Sequence, residues 1–303
     1  MLRLGVDLGG TKTVVAVFDA SGSELVRRRV STPGDDYRAA LEKIVELIRD
    51  VEHAAGAPCT VGIGIPGAIS RTDGHVKNAF NTVLNGQPFK RDLEAMLERE
   101  VRLANDANCF ALSEAADGAA RGAGIVFGAI LGTGIGGGIV ADGRIVEGRN
   151  AISGEWGHNP LPWMARDEFP GPACYCGRLG CVEQFVSGPA LSRELAASAG
   201  ARLDPPEIAV RADRGDPACR AALERYEDRL ARALAHVVNL LDPDTIVLGG
   251  GLSNIARLYG NVASLLPRHV YSDSVTTPIV PAAHGDASGV RGAARLWGDD
   301  PGA

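Results

Sequence analysis

The chain has 303 residues, of which 45% are hydrophobic, and a formal net charge of −6. That is core enough for one large domain or two ordinary ones, and an acidic balance without a basic block argues against a nucleic-acid surface. No apolar run approaches the ~18 residues needed to span a bilayer, and the start Met-Leu-Arg-Leu-Gly-Val-Asp lacks a signal peptide's apolar region, so a soluble cytoplasmic protein is expected.

In chain order, residues 4–13 (L-G-V-D-L-G-G-T-K-T) read as a short apolar strand running into glycines and threonine. The β-branched run after Thr13 reads as a second strand ending in a turn. Tyr37–Ala55 has helical periodicity, with Leu41, Ile44, Val45 and Ile48 on one face. Val61–Ile65 reads as a buried strand ending at Pro66-Gly67, Leu93–Leu97 as helix, Val101–Asn105 as strand and Cys109–Gly118 as helix. Residues 129–138 (A-I-L-G-T-G-I-G-G-G) repeat the plan of the first loop, and I-V-A-D-G-R-I-V after them predicts a hairpin around Asp142-Gly143. Ala218–Leu241 reads as a long helix. Residues 241–254 read as a turn, a buried strand, three glycines and a helix N-cap at Ser253 or Asn254. Arg291–Trp297 reads as a terminal helix. The order β-β-β-α-β-α-β-α is an α/β pattern. A lobe boundary is expected near Asp117–Gly124, giving one lobe of 1–117 with a C-terminal helix at about 290–303, and a second of 118–289.

The two glycine loops exclude two common nucleotide motifs. Gly132-Thr133-Gly134-Ile135-Gly136-Gly137 leads into a strand, whereas a Rossmann fingerprint opens a helix. Thr11 precedes Lys12 where a Walker A loop needs glycine. Strand–turn–strand loops still form anion nests from glycine N–H groups and threonine hydroxyls. Gly9, Gly10, Thr11, Lys12 and Thr13 are therefore phosphate candidates, as are Gly132, Thr133, Gly134 and Gly136. Two loops of one plan in separate halves suggest a duplicated fold gripping one nucleotide. Gly249, Gly250 and Gly251 are placed to pack on adenine and ribose.

Three of the six cysteines, Cys174, Cys176 and Cys181, fall within eight positions, and His158 lies sixteen residues before the first. Three thiolates and an imidazole suit a closed tetrahedral structural Zn²⁺ site. Cys59, Cys109 and Cys219 read as core thiols. Asn105 and Asp106 follow a strand and precede a helix, so Asp106 either accepts a hydroxyl proton, with Asn105 orienting a sugar, or Asp106 or Asn108 only caps the helix. Glu155 and Glu183 flank the metal loop as hydroxyl acceptors or as surface charge. Asp7 either holds Mg²⁺ through water or serves a turn.

Together D-L-G-G-T-K-T, G-I-P-G (64–67), N-D-A-N, L-G-T-G-I-G-G-G, E-W-G-H, C-Y-C-G-R-L-G-C-V-E and I-V-L-G-G-G resemble the ROK family of repressors, open reading frames and kinases, over nearly the whole chain. Residues 76–89, 155–164 and 234–251 look most like its bacterial fructokinases, and 101–115 resembles N-acetylglucosamine kinases nearly as well. The resemblance implies an actin/hexokinase-like ATPase fold of two lobes, with ATP in the interlobe cleft and phosphorylation of a hexose 6-hydroxyl, D-fructose before N-acetylglucosamine, glucose or mannose. By motif it implies Asp106 as catalytic base, sugar contacts from Gly67, Asn105, Glu155, His158 and Glu183, and a further contact from Asn78 or Asn81. It places zinc on the other nitrogen of His158 and implies a homodimer. A ROK repressor would carry a helix-turn-helix before the first glycine loop, whose strand here starts at Leu2.

Overall fold

Apolar, β-branched runs make the first strands of the computed structural model, which describes residues 1–32, 34, 36–79 and 82–298. β1 (Leu2–Leu8) pairs antiparallel with β2 (Lys12–Phe18), and β2 antiparallel with β3 (Glu24–Ser31). α1 (Tyr37–Ala55) starts where the Asp36 carboxylate accepts the Ala39 N–H at 2.6 Å. It stops at Gly56, whose φ of 74° is left-handed. Leu41, Ile44, Val45 and Ile48 are buried on its inner face, as the periodicity predicts. β4 (Cys59–Ile65), the short pair β5 (Ala68–Ile69) and β6 (Val76–Lys77), α2 (Phe89–Leu97), β7 (Arg102–Asn105) and α3 (Asp106–Ala116) follow.

The first sheet runs β3-β2-β1-β4-β7. β1, β4 and β7 are parallel, with Asp7 beside Gly64 and Gly64 beside Ala104. Their carboxyl ends therefore share one edge of the sheet, the edge at which α/β proteins bind ligands. The second sheet repeats the plan as β10-β9-β8-β11-β12. Its strands are β8 (Ile125–Leu131), β9 (Ile135–Ala141), β10 (Arg144–Ile145), β11 (Thr245–Gly249) and β12 (Ile279–Pro281). β8, β11 and β12 are parallel. The hairpin between β9 and β10 turns on Asp142 and Gly143, at φ 49° and 74°, the two positive angles of a type I′ turn. This duplicated α/β architecture of two five-stranded sheets is the expected one.

Between these strands lie α4 (Glu183–Val186), α5 (Gly188–Ala199), α6 (Pro205–Asp213), α7 (Pro217–Leu241) and α8 (Arg257–Leu265). A 3-10 turn at Gly251–Asn254 intervenes before α8, so neither Ser253 nor Asn254 caps that helix; their side chains bond back to the carbonyls of Gly250 and Gly251. The last helix, α9 (Ser288–Ala294), packs on β1 and β4 where no side chain intervenes. A Cβ on Gly5 would lie 1.9 Å from the Val290 carbonyl oxygen, and one on Gly62 equally close to that of Ala293. The chain divides into one unit of Met1–Gly118, Gly138–Ser153 and the described residues from Asp286, and a second of Ala119–Gly137 and Gly154–Gly285. No helix among the described residues is long and apolar enough to cross a membrane.

Candidate active site and metal centre

In the first unit, the shared strand edge gathers the residues singled out there. α3 begins at Asp106, three residues before Cys109, because Asn105 caps it: its Oδ1 accepts the N–H groups of Ala107 and Asn108 at 2.9 and 3.4 Å. The cap is thus neither Asp106 nor Asn108. The Asn105 Nδ2 donates to the Gly67 carbonyl at 3.0 Å. Gly67, at φ 73°, lies so close to the Lys77–Ala79 backbone that a Cβ would meet the Lys77 oxygen at 2.2 Å. Gly67, Asn78 and Asn105 are therefore neighbours, and Asn81 lies outside the described residues. Asp106 is half-buried, with its Oδ1 accepting the Ala107 N–H at 2.8 Å.

Asp7 is the last residue but one of β1, at the same edge. Burial raises its carboxyl above the usual range; Lys12 opposes this and Asp286 adds to it. The two aspartates act on one group: burial, then the charges of Asp7 and Asp106, push the Cys109 thiol up. Gly9, Gly10, Thr11 and Lys12 form the turn after Asp7, closed by the Gly9 N–H on the Lys12 carbonyl at 2.9 Å. Gly10 and Thr11 are exposed. Thr13 is not: it is 2% exposed, with its hydroxyl 2.8 Å from that of Thr32, which braces the loop. The Thr32 hydroxyl in turn donates to the Gly9 carbonyl at 2.8 Å.

The second unit sets two glycine loops side by side. Gly132–Gly134 joins β8 to β9, with Thr133 and Gly134 exposed and Gly136 on β9. Gly249–Gly251 ends β11. A Cβ on Gly250, at φ 81°, would meet the Leu131 carbonyl oxygen at 2.5 Å, so only glycine lets the loops approach. Glu183, 7% exposed, accepts the Ile135 N–H at 2.9 Å through Oε2, which fixes the β8–β9 loop. It is thus not surface charge, and one oxygen is committed to the backbone. Glu155 is half-buried beside the 3-10 turn Trp156–His158.

Cys174, Cys176, Cys181 and His158 converge, with their ligand atoms all within 4.8 Å of one another. The Cys174 Sγ lies 3.6 Å from the His158 Nδ1, and Cys176 and Cys181 bring their Sγ atoms to 3.6 Å. Zn–S bonds of ~2.3 Å and Zn–N bonds of ~2.0 Å at tetrahedral angles give ligand separations of about 3.5–3.8 Å, so the donor set and spacing fit zinc. None of the three thiols is in a disulfide. Against the burial that would raise it, hydrogen bonds from Arg178, Cys174 and Cys181 hold the Cys176 thiol down to about 6.

The other face of His158 holds a residue that no sequence motif singles out. The Tyr175 hydroxyl lies 2.9 Å from the His158 Nε2, and the two rings meet edge to face at 5.1 Å. Burial, then the negative charges of Glu183, Cys174, Glu155 and Cys176, raise the Tyr175 phenol above its ordinary range. The only sequence signal was its place between two metal-ligand cysteines in C-Y-C.

A family model described as ROK family matches residues 3–300. The chain belongs to the ROK family. It is 43% identical over 296 residues to an N-acetyl-D-glucosamine kinase of Escherichia coli O6:H1 strain CFT073, covering 96% of this chain and 98% of that protein. Among solved ROK structures, it resembles a hexokinase from Thermus thermophilus at a TM-score of 0.86 and 31% identity, over 98% of this chain and 97% of that one. It also resembles a ROK glucokinase from Streptomyces griseus, solved with glucose and AMPPNP, at 0.80 and 28%, over 98% and 99% of the two chains. The His158–Cys174–Cys176–Cys181 cluster suits the zinc site of a ROK protein, and whole-length similarity to ROK kinases implies ATP binding.

Proposed function

We propose that this ROK sugar kinase transfers the γ-phosphoryl group of ATP to the 6-hydroxyl of a hexose, with Asp106 as general base. The observation that carries the reading is Asp106 at the carboxyl edge of three parallel strands, the edge that also bears Asp7, with its helix capped by Asn105 instead. Asp106 takes the 6-hydroxyl proton as the oxygen attacks the γ-phosphorus and ADP leaves. Asn105, Gly67, Asn78, Glu155, His158 and the second oxygen of Glu183 are the sugar-hydroxyl ligands of this reading. Gly9–Lys12, Gly132–Gly136 and Gly249–Gly251 bind the nucleotide. The Asp7 carboxylate suits a hard cation held through water, and Mg²⁺ there would neutralise phosphate charge. His158, Cys174, Cys176 and Cys181 would hold zinc, which orders the loop bearing the sugar ligands. Homodimers and a cytoplasmic location belong to the same reading.

Two acceptors have support. Whole-chain similarity favours N-acetyl-D-glucosamine, through relatives of that name at 43% identity. D-Fructose keeps the fructokinase-like stretches 76–89 and 155–164. A coupled ATPase assay with fructose, mannose, glucose and N-acetylglucosamine, with the phosphate position read by NMR, tests both. ADP release without a sugar 6-phosphate would sink the kinase reading. A higher kcat/KM for N-acetylglucosamine than for fructose would remove fructose alone.

A further inference from the structure

We propose that Tyr175 is the positioning residue of the metal centre: its hydroxyl takes the hydrogen on the His158 Nε2 and so holds the Nδ1 lone pair toward the metal. The inference rests on the zinc reading of this cluster and is independent of which sugar the enzyme accepts. The ligands differ in how they are held. Cys174, Cys176 and Cys181 share one short loop. That loop is closed by the Cys174 N–H on the Arg178 carbonyl at 2.8 Å and by the Gly177 N–H on the Cys174 carbonyl at 3.0 Å. His158 comes from elsewhere, at the end of the 3-10 turn Trp156–His158. Its backbone N–H is tied to the Glu155 carbonyl at 3.2 Å. That bond fixes the main chain and leaves the ring free to turn about its side-chain bonds. An imidazole with that freedom is a poorer ligand until its other nitrogen is held.

The cysteine loop itself supplies the group that holds it. The His158 Nδ1 lies 3.6 Å from the Cys174 Sγ, and the Nε2 lies 2.9 Å from the Tyr175 oxygen. Two hydrogen placements satisfy both contacts. Either the Nε2 carries the hydrogen and donates it to the phenol, or the phenol donates to a bare Nε2 and the Nδ1 hydrogen points at sulfur. Only the first leaves a lone pair on the nitrogen that faces the thiols, and an imidazole binds metal through a lone pair. The ring contact acts in the same sense. Tyr175 stands edge to face on His158, with centroids 5.1 Å apart and planes at 89°, and so limits rotation of the imidazole. Tyr175 is 51% exposed, so core packing does not account for its place. Its bond to Nε2 joins the histidine turn to the cysteine loop and sets the one ligand that the loop does not carry.

The test measures zinc affinity, by competition with a chromogenic chelator, for wild type, Tyr175→Phe and Tyr271→Phe. Tyr175→Phe deletes one oxygen and keeps the ring, and its zinc affinity should fall about 10–100-fold. Tyr271 is fully exposed and controls for the loss of a phenol hydroxyl elsewhere; Tyr271→Phe should bind zinc as wild type does. In zinc-loaded wild type with isotopically labelled histidine, NMR should find the His158 hydrogen on Nε2 and the metal on Nδ1. In Tyr175→Phe that Nε2 hydrogen should exchange with water faster. Metal on Nε2 in the wild type overturns the inference without any variant. So does a Tyr175→Phe protein whose zinc affinity stays within about threefold of wild type, or an equal loss in Tyr271→Phe. A wild type that binds no zinc overturns the metal centre and the inference together, and leaves the kinase reading to its own assay.

Discussion

At the residue scale, Asp106 is the proposed base and Asn105 carries the helix. Both stand in N-D-A-N, where the motif offered Asp106 or Asn108 as the cap and the structure makes it Asn105. Asn105 settles the question with two N–H groups on its Oδ1. Asp106→Asn keeps size and hydrogen bonding but removes the base. We expect kcat to fall by roughly 10²–10⁴-fold, with sugar affinity changed much less. Steady-state kinetics alongside calorimetric sugar binding checks this, and near-normal kcat would reduce Asp106 to a structural residue. Tyr175 shows the opposite case, since its hydroxyl meets the His158 Nε2 at 2.9 Å and no spacing rule reports that.

At the element scale, two packings hold the site. α9 rides on β1 so closely that a Cβ on Gly289 would lie 2.7 Å from the Asp7 Oδ2. Gly289→Ala should push that carboxylate aside and lower kcat with MgATP by about 10–100-fold, leaving the sugar KM near wild type. An equal rise in sugar KM would indicate general distortion instead. The metal loop is the second packing. We expect about one zinc per chain, and Cys176→Ala should lower that content and raise the sugar KM before ATP affinity changes. Elemental analysis with parallel kinetics decides it: a zinc-free protein of full activity would end the structural role. Gly289 and α9 could not be tied to Asp7 from the sequence, because 282 positions separate them and only the folded sheet brings them together.

At the scale of the whole molecule, stability should depend on acid through one buried carboxylate. Glu168 accepts from Arg229 at 2.7 Å and from two nitrogens of Arg232 at 2.8 and 2.9 Å, tying residues 165–168 to α7. Burial alone would raise its carboxyl, but Arg232, Arg229 and the Ala165 N–H outweigh it and bring it down to about 2. The folded form thus holds the carboxylate more tightly than the unfolded chain does. Its stabilisation is full above the ordinary glutamate range near pH 4.5 and is lost as pH falls from there toward about 2. Glu168→Gln should cost about 3 kcal/mol near pH 7, since it leaves two buried guanidinium groups short of a partner. Urea unfolding from pH 7 to pH 3 reads the effect, and the gap between the two proteins should shrink across that window. A gap independent of pH would show that packing, not charge, is lost.

Local rules were enough for much of this protein. Periodicity marks α1 and α7 to within a residue, Asp142-Gly143 marks its hairpin, and strands after both glycine loops exclude the Rossmann reading, because each depends on neighbours in the chain. The metal set was also readable, since three of its four ligands fall in one short loop. Tertiary structure decided what depends on neighbours across the fold. It buried Thr13 against Thr32, committed one oxygen of Glu183 to the Ile135 N–H, laid Gly250 on Leu131 and turned His158 so that Tyr175 meets its Nε2. Side-chain direction and the company of a carboxylate are set by packing, and packing joins residues that the chain keeps far apart.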